Sequence, residues 1–256
     1  MVRFSVGTTA SVETMGSPLG FSPRFDFSSL QVIVAGYTGP AEREQQLSHT
    51  FGSMQWLWSE NEHFRFDQSS RELCSATFFV PPESAPAEVC RRAPEGPPSL
   101  PSGLRAATSA DFDLPQAGVV CCTSEATELR CFRDLGALDG PLDARIGIAP
   151  DLDLLVREGA MVGWSLADPA RYLTDGFAAP EDGPPAPATR LRLAECLALV
   201  TSPLVYEVTD HDHDQESDAW RRLRATERAL REQRDDRRRA DILHGVVSRL
   251  IEDYES

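Results

Sequence analysis

Lysine is missing altogether: all 25 basic residues of the 256 are arginine. The absence removes every target for amine-directed side-chain tagging, and an arginine-favouring codon bias is its simplest origin. Long apolar runs are missing too. No window approaches the roughly eighteen apolar residues of a membrane span, and Met1–Gly16 holds no uninterrupted apolar core of a secretory signal. A cytoplasmic protein without a membrane partner is therefore expected. The six cysteines (Cys74, Cys90, Cys121, Cys122, Cys131, Cys196) include no CxxC pair, which speaks against a cysteine-built zinc site. Without a signal they read as reduced thiols. Catalytic signatures are scarce as well. There is no G-x-S-x-G elbow, and Gly36-Tyr37-Thr38-Gly39 has neither the lysine of a phosphate loop nor dinucleotide-binding spacing, so it reads as a turn. The net charge of −15 argues against general binding to nucleic acid or anionic membranes.

What is present is alternation, and it is clearest from Gly118 to Leu173. Val119–Thr123 and Glu128–Phe132 flank a polar break of hairpin length. Leu152, Leu154 and Val156 alternate with more polar neighbours. After Arg157-Glu158-Gly159, Val162, Trp164 and Leu166 alternate again, which predicts a second hairpin with Trp164 buried beside Val162 and Leu166. Upstream, Arg3–Val6 and Leu30–Ala35 read as strands, and His63–Asp67 with Leu73–Val80 as another hairpin. Pro40 begins a helix whose apolar stripe is Leu47, Phe51, Met54 and Trp58. Downstream, Asp168-Pro169 starts a short helix, Leu193, Leu197 and Val200 mark another, and Leu204–Val208 reads as a last strand.

These signals predict an α+β protein: a mostly antiparallel sheet built of hairpins, one packed helix near 40–58 and a long C-terminal helix. Seven prolines between Pro81 and Gly103 suggest divisions. They separate a β/α unit at 1–80, a Pro-rich linker or loop at 81–103, an antiparallel sheet unit with short helices at 104–214, and an arginine-rich then amphipathic helix at 215–256.

Two clusters carry the candidate chemistry. Residues 207–218 hold six carboxylates and two imidazoles. His211 and His213 would share one face of an extended segment, the H-x-H arrangement of zinc and iron sites, with His49, His63 or His244 as a further ligand. A calcium loop fails there because Gln215 and Arg221 stand where Gly and Glu belong. An acidic leader favoured by a helix N-terminus explains the same residues without a metal. The second cluster is residues 219–239, with nine arginines against four acids. Pairs such as Glu227–Arg231 and Asp235–Arg239 fall at i,i+4, which suits an exposed helix better than a nucleic-acid reader. Beyond it, Ile242, Leu243, Val246, Val247, Leu250 and Ile251 form an aliphatic stripe that must be covered. Cys121 and Cys122, on a predicted strand, read as half-buried structural residues.

Two classes of function remain. The first is a non-catalytic interaction protein (adaptor, inhibitor or accessory factor) that docks on a protein partner or a second copy through the 242–251 stripe, with no cofactor and an arginine rim. The second is a metal-dependent enzyme that uses a divalent metal at His211 and His213 with nearby carboxylates.

Overall fold

The computed structural model describes residues 1–54, 61–91, 96–123, 125–209 and 217–254. Among the described residues the chain runs through β1 (Arg3–Val6), β2 (Ala10–Thr14), β3 (Arg24–Asp26) and β4 (Gln31–Val34) into helix α1 (Pro40–Ser48). Strands β5 (Thr50–Ser53), β6 (His63–Asp67) and β7 (Leu73–Phe79) follow, then one helical turn, α2 (Ala87–Cys90). Next come β8 (Ser99–Pro101), β9 (Leu104–Ala106), β10 (Val119–Cys122) and β11 (Glu128–Phe132). They lead to β12 (Ala144–Ala149), β13 (Leu152–Arg157), β14 (Ala160–Ala167) and β15 (Leu173–Thr174). Four helices come after the sheets: α3 (Pro187–Val200), α4 (Leu204–Thr209), α5 (Asp218–Glu232) and α6 (Arg237–Tyr254).

The alternating stretch folds into the two expected hairpins. Strands β10 and β11 form a hairpin, as do β13 and β14, whose turn places Glu158 and Gly159 at positive φ. β14 is the spine of the first sheet, ordered β8-β12-β13-β14-β1-β2-β9. One edge of β14 carries β13, while the other is divided between β11 and, at Ala160, β1. The second sheet is ordered β15-β3-β4-β7-β6-β5. Antiparallel pairing dominates, but β1–β14, β8–β12 and β15–β3 are parallel, so the α+β reading holds loosely, with mixed sheets that are not built of hairpins alone.

The two sheets face each other across one core. Trp164 of β14 lies 5.2 Å from Phe78 of β7, ring to ring, and both are fully buried. Phe4, Phe25, Phe64, Phe66, Leu154 and Leu166 fill the space around them. Leu193, Trp220, Leu223, Leu243 and Val247 join the same cluster from the helices. Residues before 80 and after 104 thus share sheet and core, because β1, β2 and β9 extend the sheet of β10–β14. The described parts of the Pro-rich stretch between them are tied into the fold. Ala85 donates its amide to the Val120 carbonyl at 2.9 Å, and β8 lies alongside β12.

Other expectations require correction. α1 ends at Ser48 with no buried side chain, because Phe51 is claimed by a strand and stacks on Phe66 at 5.8 Å. Gly52 permits this at φ +134°, where a Cβ would meet the Phe64 carbonyl oxygen at 2.0 Å. Trp58 lies outside the described residues. Leu204–Val208 belongs to helix α4, not a strand. Val162 is half-buried in a patch separate from Trp164, because a bulge at Leu155/Val156 shifts the register. The long C-terminal helix is two: Gln233 leaves the helical region, Asp236 takes φ +58°, and α6 folds back on α5.

Candidate functional site

The outward face of the first sheet collects its polar side chains in cross-strand rows. One row runs Cys121, Arg130, Ser165, Asp153 and Gly147 on β10, β11, β14, β13 and β12. Arg145 reaches Asp153 through Nε at 3.0 Å and Nη2 at 2.6 Å, and Nη2 also reaches Glu128 at 3.1 Å. Arg130 donates to the other oxygen of Glu128 at 2.6 Å, and Ser99 of β8 donates to Asp153. A Cβ on Gly147 would stand 2.8 Å from the Ser99 hydroxyl, so glycine there leaves room for the serine. Two guanidinium groups meet two carboxylates, which closes the charge balance. The network clasps five strands.

Where this row ends, the sheet opens into a pocket of about 270 Å3. Cys90, Cys121 and Cys122 line it together with Arg91, Glu128 and Arg130. Cys90 enters from α2, the two adjacent cysteines from β10. The Cys90 thiol donates to the Ala85 carbonyl at 3.6 Å, and the neighbouring Cys121 thiol, with help from the Arg130 charge, pulls the Cys90 pKa below the usual thiol range against the cost of burial. The Cys90 side chain and burial push Cys121 up. Burial pushes Cys122 up to about 12.

A second concave surface lies between α5 and α6. Arg224, Arg228 and Arg231 stand along one side of a groove of about 530 Å3, with Ile251, Ser248 and Glu252 on the other. Glu227 sits at its base, almost buried, where it pairs with Arg231 and with His244 Nε2 at 3.0 Å. Its spacing from Arg231 is the i,i+4 pairing legible in the sequence.

The residues expected to hold a metal are not brought together. His211 and His213 lie outside the described residues. His49 is exposed at the end of α1, His63 is on β6 and His244 is on α6. Burial and the nearby Arg43 and Arg65 lower the His63 pKa to about 4. Among the described residues, no group of three or more His, Cys, Asp or Glu is placed to hold a metal ion.

The aliphatic stripe finds its cover within the chain. Leu243 and Val247 are wholly buried, and Ile242, Val246, Leu250 and Ile251 are half-buried against the same core. The arginine-rich stretch before it, expected as an exposed helix, is itself packed through Trp220, Leu223 and Leu230. Among the described residues no helix is long and apolar enough to cross a membrane.

Two features escaped the sequence. Cys90 and Cys121 are distant in the chain and meet only through the placement of α2. Glu62, buried between the sheets, is beyond any local pattern. Comparison with protein-family models, with curated proteins and with solved structures gives no match.

Proposed function

We propose that the chain is a non-catalytic interaction protein that receives an acidic segment of a partner protein in the groove between α5 and α6. The observation that carries this reading is the row Arg224, Arg228 and Arg231 along one wall of that groove, in a chain of net charge −15. The three fall at i, i+4 and i+7, so one helix presents them together. An acidic protein repels acidic partners over most of its surface, and a cationic groove then selects both where and how such a partner docks. Ile251 gives the groove an apolar wall against which the partner's aliphatic side chains pack. This moves the docking surface from the aliphatic stripe, most of which the chain covers itself, to the arginine side of the same hairpin.

A fluorescent peptide rich in Glu and Leu tests the reading by anisotropy. Saturable binding that weakens with salt and is lost in Arg228→Glu/Arg231→Glu supports it. Absence of saturable binding, or binding indifferent to both charge reversals, removes it. The metal-enzyme alternative rests on His211 and His213 in the sequence. Metal analysis of the purified chain decides it, since stoichiometric zinc, iron or manganese lost in His211→Ala/His213→Ala would favour that reading.

A further inference from the structure

We propose that Cys90 and Cys121 form a reversible disulfide, which makes the pocket between α2 and β10 a site of oxidation by hydroperoxides. The backbone sets the encounter. Ala85 donates to the Val120 carbonyl at 2.9 Å, Val120 donates to Glu83 at 2.8 Å, and Ser84 bridges Val120 in parallel sense. The segment before α2 therefore runs as an added strand beside β10. α2 then turns Cys90 back over that strand, where it packs on the apolar patch containing Val119, Cys121 and Phe132. Both cysteines line one pocket, and Arg130, the cross-strand partner of Cys121, lines it with them.

The two thiols play different parts. Cys90 is the half-exposed one, reached from solvent and stabilised as a thiolate by Arg130 and the Cys121 thiol. Its sulfur attacks the distal oxygen of hydrogen peroxide. The S–O bond forms, the O–O bond breaks, and the departing hydroxide takes a proton to become water, leaving Cys90 as a sulfenic acid. Cys121 then gives up its proton while its sulfur attacks the Cys90 sulfur. The S–S bond forms, the S–O bond breaks, and a second water leaves. Two thiols and one peroxide become one disulfide and two waters. The buried position of Cys121 reserves it for this second step. Cys122 borders the pocket too, but as the next residue on β10 it packs against the main core rather than the patch that holds Cys121 and Cys90.

The experiment treats the folded full-length chain with stoichiometric hydrogen peroxide, blocks free thiols under denaturing conditions and maps the peptides by mass spectrometry. The expected product has lost two hydrogens, carries one Cys90–Cys121 crosslink, keeps the remaining four of its six thiols free, and reverts with dithiothreitol. Cys90→Ser abolishes the crosslink. Cys121→Ser stops at a Cys90 sulfenic acid that dimedone traps. A Cys90–Cys122 crosslink, disulfides only between chains, or an unchanged mass in the folded protein overturns the proposal. The map of the unsubstituted chain decides the matter even where a variant fails to fold.

Discussion

One carboxyl oxygen of Glu62 accepts the amide hydrogen of Phe79 at 2.9 Å, in the interior between the sheets. The other takes the amide of Ala117 at 3.2 Å, so a single side chain ties the end of β7 to the approach of β10. Burial raises its pKa to about 8 against the opposing pull of these amides, the Arg133 guanidinium and the Trp164 indole.

That shift has a sign. The unfolded chain titrates Glu62 near 4.5 and the native chain near 8. Between those values the native state holds the extra proton, so stability falls as pH rises, by about 1.4 kcal/mol per unit. His63 acts in the opposite direction. Its native pKa near 4 against 6.5 in the unfolded chain makes stability rise across that window. The two slopes oppose each other between pH 4.5 and 6.5, and Glu62 alone acts from 6.5 to 8. Urea unfolding of the wild type and Glu62→Gln should therefore show a stability difference that grows in favour of the variant as pH climbs. A difference that stays constant from pH 6.5 to 8 contradicts the assignment.

Trp164→Ala empties a site closed by Phe78 and should cost about 3–5 kcal/mol. Val162→Ala, two residues away on the other side of the bulge, should cost about 1 kcal/mol. Guanidinium denaturation separates the two. Equal losses would mean that both side chains enter the same core.

The clasp of Arg145 and Asp153 lends itself to a double-mutant cycle. Arg145→Met and Asp153→Asn should couple by about 1–3 kcal/mol, discounted from a fully buried pair because Arg145 keeps 23% of its side chain exposed. Coupling near zero would make Ser99, Glu128 and Ser165 sufficient without the ion pair.

Removal of everything after Arg239 should unfold the monomer rather than alter its assembly, since Leu243 and Val247 then leave the core. Leu243→Ala should cost about 2–5 kcal/mol with unchanged light scattering. A shortened chain as stable as the full one would return the stripe to the surface.

The hairpins were legible because they are local. Alternation around Glu128–Phe132 and Ala160–Ala167 needs no distant partner to be seen, and a glycine marks the second turn. Legibility stopped where tertiary pairing overrode a local preference. Leu47, Phe51 and Met54 keep helical spacing, yet β6 draws Phe51 into the second sheet. The terminal stripe was correctly read as requiring cover. The turn at Gln233–Asp236 that supplies the cover carries no glycine or proline, so nothing local announced the reversal. Of the site, the Glu227–Arg231 pair was visible from its spacing. Cys90 beside Cys121 was not, because α2 is only four residues long and its placement depends on hydrogen bonds to β10.

The parallel seam between β1 and β14 has a consequence for how the molecule comes into being. Ser5 donates to the Gly159 carbonyl at 2.8 Å across 154 residues, and this joins β1, β2 and β9 to the spine of their sheet. Closing so wide a loop costs about 4–5 kcal/mol of chain entropy. A ribosome delivers β1 first and its neighbour long afterwards. The five strands from Arg24 to Phe79 can meanwhile assemble among themselves, while the β1–β2 ribbon waits with one edge open. Zipping that seam is the late event in synthesis, and until then a nascent chain presents an unsealed strand to its neighbours on the polysome.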